Sequence, residues 1–343
     1  MKVDRKELVA ALEFAKIGAS LKGELLQQSN SFIFDGGRLI TFNEEIKTDS
    51  PSSIDIAVAV LADEFLKVLG KFPDDEVDIS TSGIDGQGRE LIIKGNRKSA
   101  GITCFDEITL PHEAVPTPDG WNKLGEDVPD MLQHAASVCG HNVAQERTTM
   151  VHITPDVIEA SDNYRILRAK LKTSFDNECM IPATSIKAMR DIKIKRVSVG
   201  EGWVHFRTAA KQIISVRCSH ELYHNDMEKI MRVNGSAITF PRNLAEILSR
   251  ASVMMDTDDR PQISIELSKN KIKVESRKDN GWYRESKKTK YDGVPLNLLV
   301  NPASLLAMLK RTRLAEVDSS GCKMKITADN IQFMIALTPK EAF

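Results

Sequence analysis

The chain has 343 residues, 41% hydrophobic and 28% charged, with a formal net charge of −1. That length exceeds one ordinary core and fits two or three domains, and the composition is globular rather than disordered or fibrous. A charge near zero excludes gripping nucleic acid by bulk attraction, so any such contact must be local.

No apolar run approaches the ~18 residues of a membrane span. The N-terminal MKVDRKELVAALEFAK mixes charge into a helical apolar spacing and lacks the unbroken apolar core of a signal peptide. Five cysteines (Cys104, Cys139, Cys179, Cys218, Cys322) are scattered without a CxxC pair, which reads as reduced thiols in a cytoplasmic protein.

In chain order, a helix is predicted over 4–20, with Leu8, Leu12 and Ala15 on one face. A strand–turn–strand unit follows at SFIFDGGRLITFN (31–43), then a second helix at 60–72 with Phe65 and Leu69 on its stripe, then strands EVDIS and RELIIKG. The same order returns with a helix at 125–142, a hairpin at 150–163, a helix at 181–193 carrying Ile186 and Met189, and strands over 196–218. It returns again with a helix at 241–255 (Leu244, Ile247, Ala251), a hairpin at 262–276, a helix at 300–313 (Leu305, Leu309) and KMKITADNIQFMIAL. Pro182 and Pro302 stand at helix starts, where a missing N–H costs nothing. The module therefore recurs at intervals of about 115–120 residues. The expected fold is α+β, three repeated modules of two helices packed on antiparallel sheets. Boundaries in the Pro-rich 109–120 stretch and near RVNGS (232–236) give domains 1–115, 116–233 and 234–343.

The order and length of these modules resemble the bacterial DNA sliding clamp, the beta subunit of DNA polymerase III, across essentially the whole chain. ASDNYRILRA (160–169) is similar to that family's A-T-D-G-[YH]-R-L-A segment and keeps Asp162 and Arg165, with Asn163 in place of Gly. ELYHNDMEKIM (221–231) occupies the place of its G-x-F-P-D-Y-x-x-[VI]-[LI]-P loop, with Asp226 and Ile230 kept, Asn225 for Pro and Met227 for Tyr. IQFMIALTP (331–339) takes the place of its closing strand, Ala336-Leu337 standing for Met-Pro. These departures mark a divergent member, of a phage or plasmid kind.

The resemblance implies a non-catalytic, ring-forming homodimer that encircles duplex DNA without reading sequence and tethers polymerase and clamp loader through short apolar peptide motifs. Its helices would face the DNA and should carry the positive charge. Residues 182–196 hold Lys187, Arg190, Lys193, Lys195 and Arg196 against Asp191, and 301–314 hold Lys310, Arg311 and Arg313 with no acid. Lys22 and Arg250 complete the expected DNA-facing set. The same charges would also serve as ordinary solvated helix faces. The docking pocket would involve Ser161, Asn163, Tyr164, Ile166, Asn225, Ile230 and the strand Met334, Ile335, Ala336 and Leu337. The dimer contact would bring Ala100 and Ile102 against Val253 and Met254 of a second chain, covering edges that would otherwise aggregate.

Two other readings remain: an HExxH hydrolase, and a repeat scaffold that binds proteins but not DNA. His220-Glu221-Leu222-Tyr223-His224 matches the zinc-protease pattern, but it follows the alternating strand KQIISVRC instead of lying in an amphipathic helix. His134 and His141 are spaced for solvent or the inner wall rather than for a metal, and Asp256, Asp258 and Asp259 read as a solvated loop. Gly18 to Gly23 is followed by Glu24, so no phosphate-binding lysine completes a P-loop. No catalytic residues, cofactor or metal are expected.

Overall fold

The structure is a computed structural model that describes residues 1–20, 23, 26–84, 88–219, 223, 227–256, 261–320 and 322–340. It divides into two compact units. The first comprises Met1–Gln133, Ile153–Pro155 and Thr173–Glu221, and the second His134–His152, Asp156–Lys172 and Leu222–Phe343. The division passes through the middle of the chain rather than following three sequential segments.

Setting aside the short strands Lys290–Tyr291 and Thr338–Pro339 of the third copy, one order of elements nevertheless repeats three times: strand, helix, four strands, helix, three strands. The helices are α1 (Arg5–Ala15), α2 (Ala62–Lys71), α3 (Val128–Val138), α4 (Ala183–Ala188), α5 (Met227–Ile230), α6 (Leu244–Val253) and α7 (Pro302–Leu309). Five-residue and longer stripes bury as their spacing predicts: Leu8, Leu12 and Ala15 of α1; Phe65, Leu66 and Leu69 of α2; Leu244, Ile247, Leu248 and Ala251 of α6. Caps fit the sequence. Asp4 accepts from the Glu7 amide at 2.9 Å, and Asn301 accepts from the Ala303 and Ser304 amides ahead of Pro302. In the first core Phe65 meets Phe32 and Phe34 edge-on, with centroids 6.4 and 6.0 Å apart.

One expected element is much shorter. The predicted helix at 181–193 is helical only over Ala183–Ala188. Ile192 and Ile194, then Val197 and Val199 after a bulge between Ile194 and Arg196, follow a two-residue period, and the chain enters the strand Ile194–Gly200. Arg196 is therefore a strand residue, and Arg190 and Lys193 lie in the turn between. The third copy behaves similarly, because α7 ends at Leu309 and Lys310, Arg311 and Arg313 follow it. Apart from Lys187 in the last turn of α4 and Arg250 in that of α6, the expected described cations sit past the helix ends.

Pairing repeats as strictly as element order. The leading strand of each copy joins the first strand after that copy's second helix: Lys2–Asp4 with Glu76–Ile84, Asn122–Lys123 with Ile194–Gly200, and Gly235–Thr239 with Leu314–Asp318. In the first unit a single twelve-stranded sheet continues from the first copy into the second, because Ile46–Pro51 pairs with Ile213–Arg217. In the second unit the same joint recurs, Arg165–Lys170 pairing with Ile331–Ala336. The third strand of one copy thus pairs with the last strand of the next. That rule leaves two edges over. Gly281–Lys288 closes its sheet and pairs only with Lys271–Lys278. Lys98–Phe105 pairs along its length with Gly88–Gly95 but meets Val58–Leu61 only at Cys104 and Phe105, so Lys98 to Thr103 keep a bare edge.

Candidate functional sites: a docking groove and cationic surfaces

The second joint is entered by a tight turn. The Asp162 carboxylate accepts from the amides of Tyr164 (3.0 Å) and Arg165 (2.6 Å), and from the Arg165 guanidinium at 2.7 Å. Asn163 sits at φ +72°, the left-handed region that glycine and asparagine tolerate best. This explains why Asn stands where the resembled family has Gly. The Ala336 amide then donates to the Tyr164 carbonyl at 2.7 Å, so the turn and the last strand lock together.

Beside this turn lies a groove of about 420 Å³. Its apolar surface comes from Tyr164, Pro261, Val300, Ala303, Ile335 and Ala336; Asp162, Arg165, Gln262, Asn301 and Ser304 supply polar edges. Among the described residues, the Asp162–Arg165 ion pair neutralises the charges in the lining. Tyr164 is 63% exposed, so a large apolar ring stands open to a ligand. A few polar groups around an apolar floor suit a short apolar peptide.

Of the expected pocket residues, Tyr164, Ile335 and Ala336 line this groove. Asn163 shapes the turn and donates to the Gln145 side chain at 2.9 Å. Ser161, Ile166, Met334 and Leu337 are buried and do not line it, Ile166 and Met334 facing each other across the joint; Ile335 is also buried but reaches the groove wall. Ile230 is exposed, and its carbonyl accepts from Lys323 at 3.2 Å. Asn225 lies outside the described residues, as do Asp226, His220, Glu221 and His224 of the HExxH match and Asp258 and Asp259. Sequence spacing missed Pro261, Gln262, Val300, Asn301 and Ser304. Only the Asn-Pro cap signal hinted that a helix start lies here.

The expected DNA-facing set divides. Arg190, Lys193, Arg196, Lys310 and Arg313 are exposed, while Lys187 and Arg311 are half-buried. Arg313 donates to the Phe240 carbonyl at 3.1 Å. Arg250 is committed elsewhere: its guanidinium reaches Glu285 at 2.8 Å and Tyr283 at 2.9 Å, and these bonds raise its pKa. Lys22 lies outside the described residues. Among the described residues no group of three or more His, Cys, Asp or Glu is placed to hold a metal.

The expected dimer residues lie on one open strand and at one helix end. Ala100 and Ile102 are half-buried on the open strand, packed on the first core. Val253 is 65% exposed at the end of α6, and Met254 follows it. Beside the bare edge of the first unit, Lys67, Val68, Lys71, Phe72 and Pro73 of the α2 region form an open, largely apolar depression with Lys98 and Ser99.

Comparison with known proteins gives one consistent result. No family model and no curated protein sequence matches the chain. Solved structures do. A DNA polymerase sliding clamp from Bacillus subtilis superposes with a TM-score of 0.85 at 16% identity, covering 100% of this chain and 99% of that one. The DNA polymerase III beta subunit from Thermotoga maritima gives 0.81 at 16% identity, again over 100% and 99%. The DNA polymerase III subunit beta from Pseudomonas aeruginosa gives 0.79 at 14% identity over 100% of both chains. The chain therefore has the sliding-clamp fold from end to end, α+β as its repeated elements predict.

Proposed function

We propose that this chain is a DNA sliding clamp, a non-catalytic processivity factor built of modules 1–115, 116–233 and 234–343. The observation that carries the reading is the joint. Both internal joints use the same pairing, and the rule leaves one open strand at each end of the series. A second chain arranged head to tail would satisfy both edges and close a ring, the outcome expected when a heterologous contact has the rotation to close.

The register of that joint follows from the internal ones. Arg38↔Pro51, Val157↔Lys170 and Lys271↔Lys288 align the three third strands, and Gly95↔Lys98 and Ala328↔Ile331 align the last strands of the first and third copies. Transferring Arg165↔Ile335 and Leu167↔Phe333 then sets Tyr283 opposite Ile102 and Glu285 opposite Ala100 of the partner. Val253 would enter the depression at Val68 and Phe72. Duplex DNA would be held by exposed cations beyond the helix ends, through phosphate attraction without base readout. Polymerase and clamp loader would dock apolar peptide segments in the groove at Tyr164.

Light scattering after size exclusion should give a dimer, and protein loaded on circular DNA should be retained until the circle is cut. Val253→Glu, at an exposed position, should dissociate the dimer without loss of folding. A wild-type monomer that is never retained on circles would overturn the reading.

A further inference from the structure

The leading strand of the second copy places like charges in a row. Lys123 pairs with Arg196, and Arg196 pairs with Arg207 on its other side. Residues directly opposite on neighbouring strands have Cβ atoms roughly 5 Å apart, so three cations share one rung within about 10 Å. The strand bulges between Ile194 and Arg196, giving Lys195 extra reach, while its carbonyl is held by the Leu124 amide at 2.9 Å. Lys211 adds a fifth cation at the edge of the same groove, whose only acidic lining residue is Glu126.

Several ion pairs elsewhere in the sheets join opposite charges, and where like charges do face each other, as at Lys271↔Lys288 and Asp4↔Glu76, only two residues are involved rather than three in register. Lys2 meets Glu76, Lys273 meets Glu266 and Glu275, Arg284 meets Glu275, and Lys325 meets Glu316. Like charges directly opposite are destabilising, and a chain of net charge −1 does not lack acids to place there. The Arg207 guanidinium carbon lies over the Trp121 ring, 4.4 Å from its centroid, a cation–π contact that holds the charge beside the groove.

We propose that the Lys123–Arg196–Arg207 rung is a binding site for the phosphodiester backbone of DNA, in addition to the cations past the helix ends. The site rests on the clamp reading for its choice of ligand. Two observations favour a nucleic-acid backbone over an acidic protein segment. The rung continues the exposed run Arg190, Lys193 and Lys195, and its groove shares Lys195 and Pro129 with the depression lined by those residues. Five of the twelve residues lining that groove are cations, an excess that yields salt-dependent, sequence-tolerant affinity.

The test is fluorescence anisotropy of the full-length protein with a labelled duplex oligonucleotide across a salt series, comparing wild type with the Arg196→Gln/Arg207→Gln double variant and with Lys123→Gln. Affinity should fall about five- to tenfold in the double variant, and the slope of log affinity against log salt should shrink by about one to two. The melting temperature should stay level or rise, because relieving like-charge pairs stabilises the sheet; a merely structural role would lower it. Unchanged affinity and slope in both variants, with wild type still dimeric and retained on circles, would overturn the rung alone. Tighter binding of a polyglutamate peptide than of the oligonucleotide, lost in the double variant, would overturn DNA as its ligand. A wild type that neither dimerises nor is retained on circles overturns the clamp reading, whereas the rung is tested by the oligonucleotide arm regardless.

Discussion

The two internal joints share a backbone and differ in chemistry. Asn43 accepts from the amides of Glu45 and Ile46 as Asp162 does from those of Tyr164 and Arg165, and Glu44 stands at φ +71° where Asn163 stands at +72°. The Arg217 amide donates to Glu45 as the Ala336 amide donates to Tyr164. The side chains part company from there. At the first joint Arg217 reaches the Glu44 carbonyl at 2.9 Å and lies over Trp203, 5.0 Å from the ring centroid. At the second, the alanine leaves that space open and Tyr164 borders a groove. Inside the sheet the contrast repeats: Lys47 stands opposite Ser215, where the second joint has Ile166 opposite Met334. One fold element becomes a plain seam or the wall of a groove according to side-chain size.

The largest expected effect probes the polar seam. His205 is buried against Ser215, its Nδ1 2.7 Å from the hydroxyl. Burial first, and the charge of Lys47 second, lower its pKa from 6.5 to about 4. The folded state thus binds fewer protons than the unfolded one, and the first unit should lose stability as pH falls from about 6.5 toward 4. The loss approaches 2–3 kcal/mol at one pKa unit per 1.36 kcal/mol. His205→Gln should remove that part of the slope in denaturant titrations at successive pH values; an unchanged slope would show that His205 titrates normally.

Next in size, Ala336→Arg should convert the second joint toward the first. An apolar peptide binding the groove should weaken at least tenfold, about 1.4 kcal/mol, while the dimer and melting temperature hold. Isothermal titration with a short Leu- and Phe-bearing peptide reads this directly. The smallest effect concerns the turns themselves. Glu44→Gly should stabilise the first joint by about 1 kcal/mol by relieving a left-handed non-glycine residue, whereas Asn163→Gly should change little and Asn163→Val should destabilise. Urea midpoints distinguish the three.

Much of this architecture was legible in the chain. The apolar stripes of α1, α2, α6 and α7 and the period-2 hairpins between them mark three copies, because burial on one face writes its period into the sequence. The extent of α4 was not legible, since Lys and Arg suit a helix or a strand and only the alternation of Ile192 with Ile194 and of Val197 with Val199 decides it. Tyr164 and Ala336 could be found from the turn segment, but Val300, Asn301 and Pro261 reach the groove through tertiary packing that leaves no spacing signal. Arg250 shows the same limit. Its partner Glu285 is 35 residues away on a strand, and nothing in its own segment marks the pairing. The all-cation rung was equally hidden, because it exists only once three strands are in register.

The bare edges have a kinetic consequence. Inside the chain, each joint is held by a covalent tether that keeps its two strands at high local concentration, so a broken pair reforms before it can diffuse away. A joint between chains has no tether. Dilution, a competing strand or a mechanical pull would therefore act first on any seam formed between chains, a weakness set by connectivity rather than by the strength of any single contact.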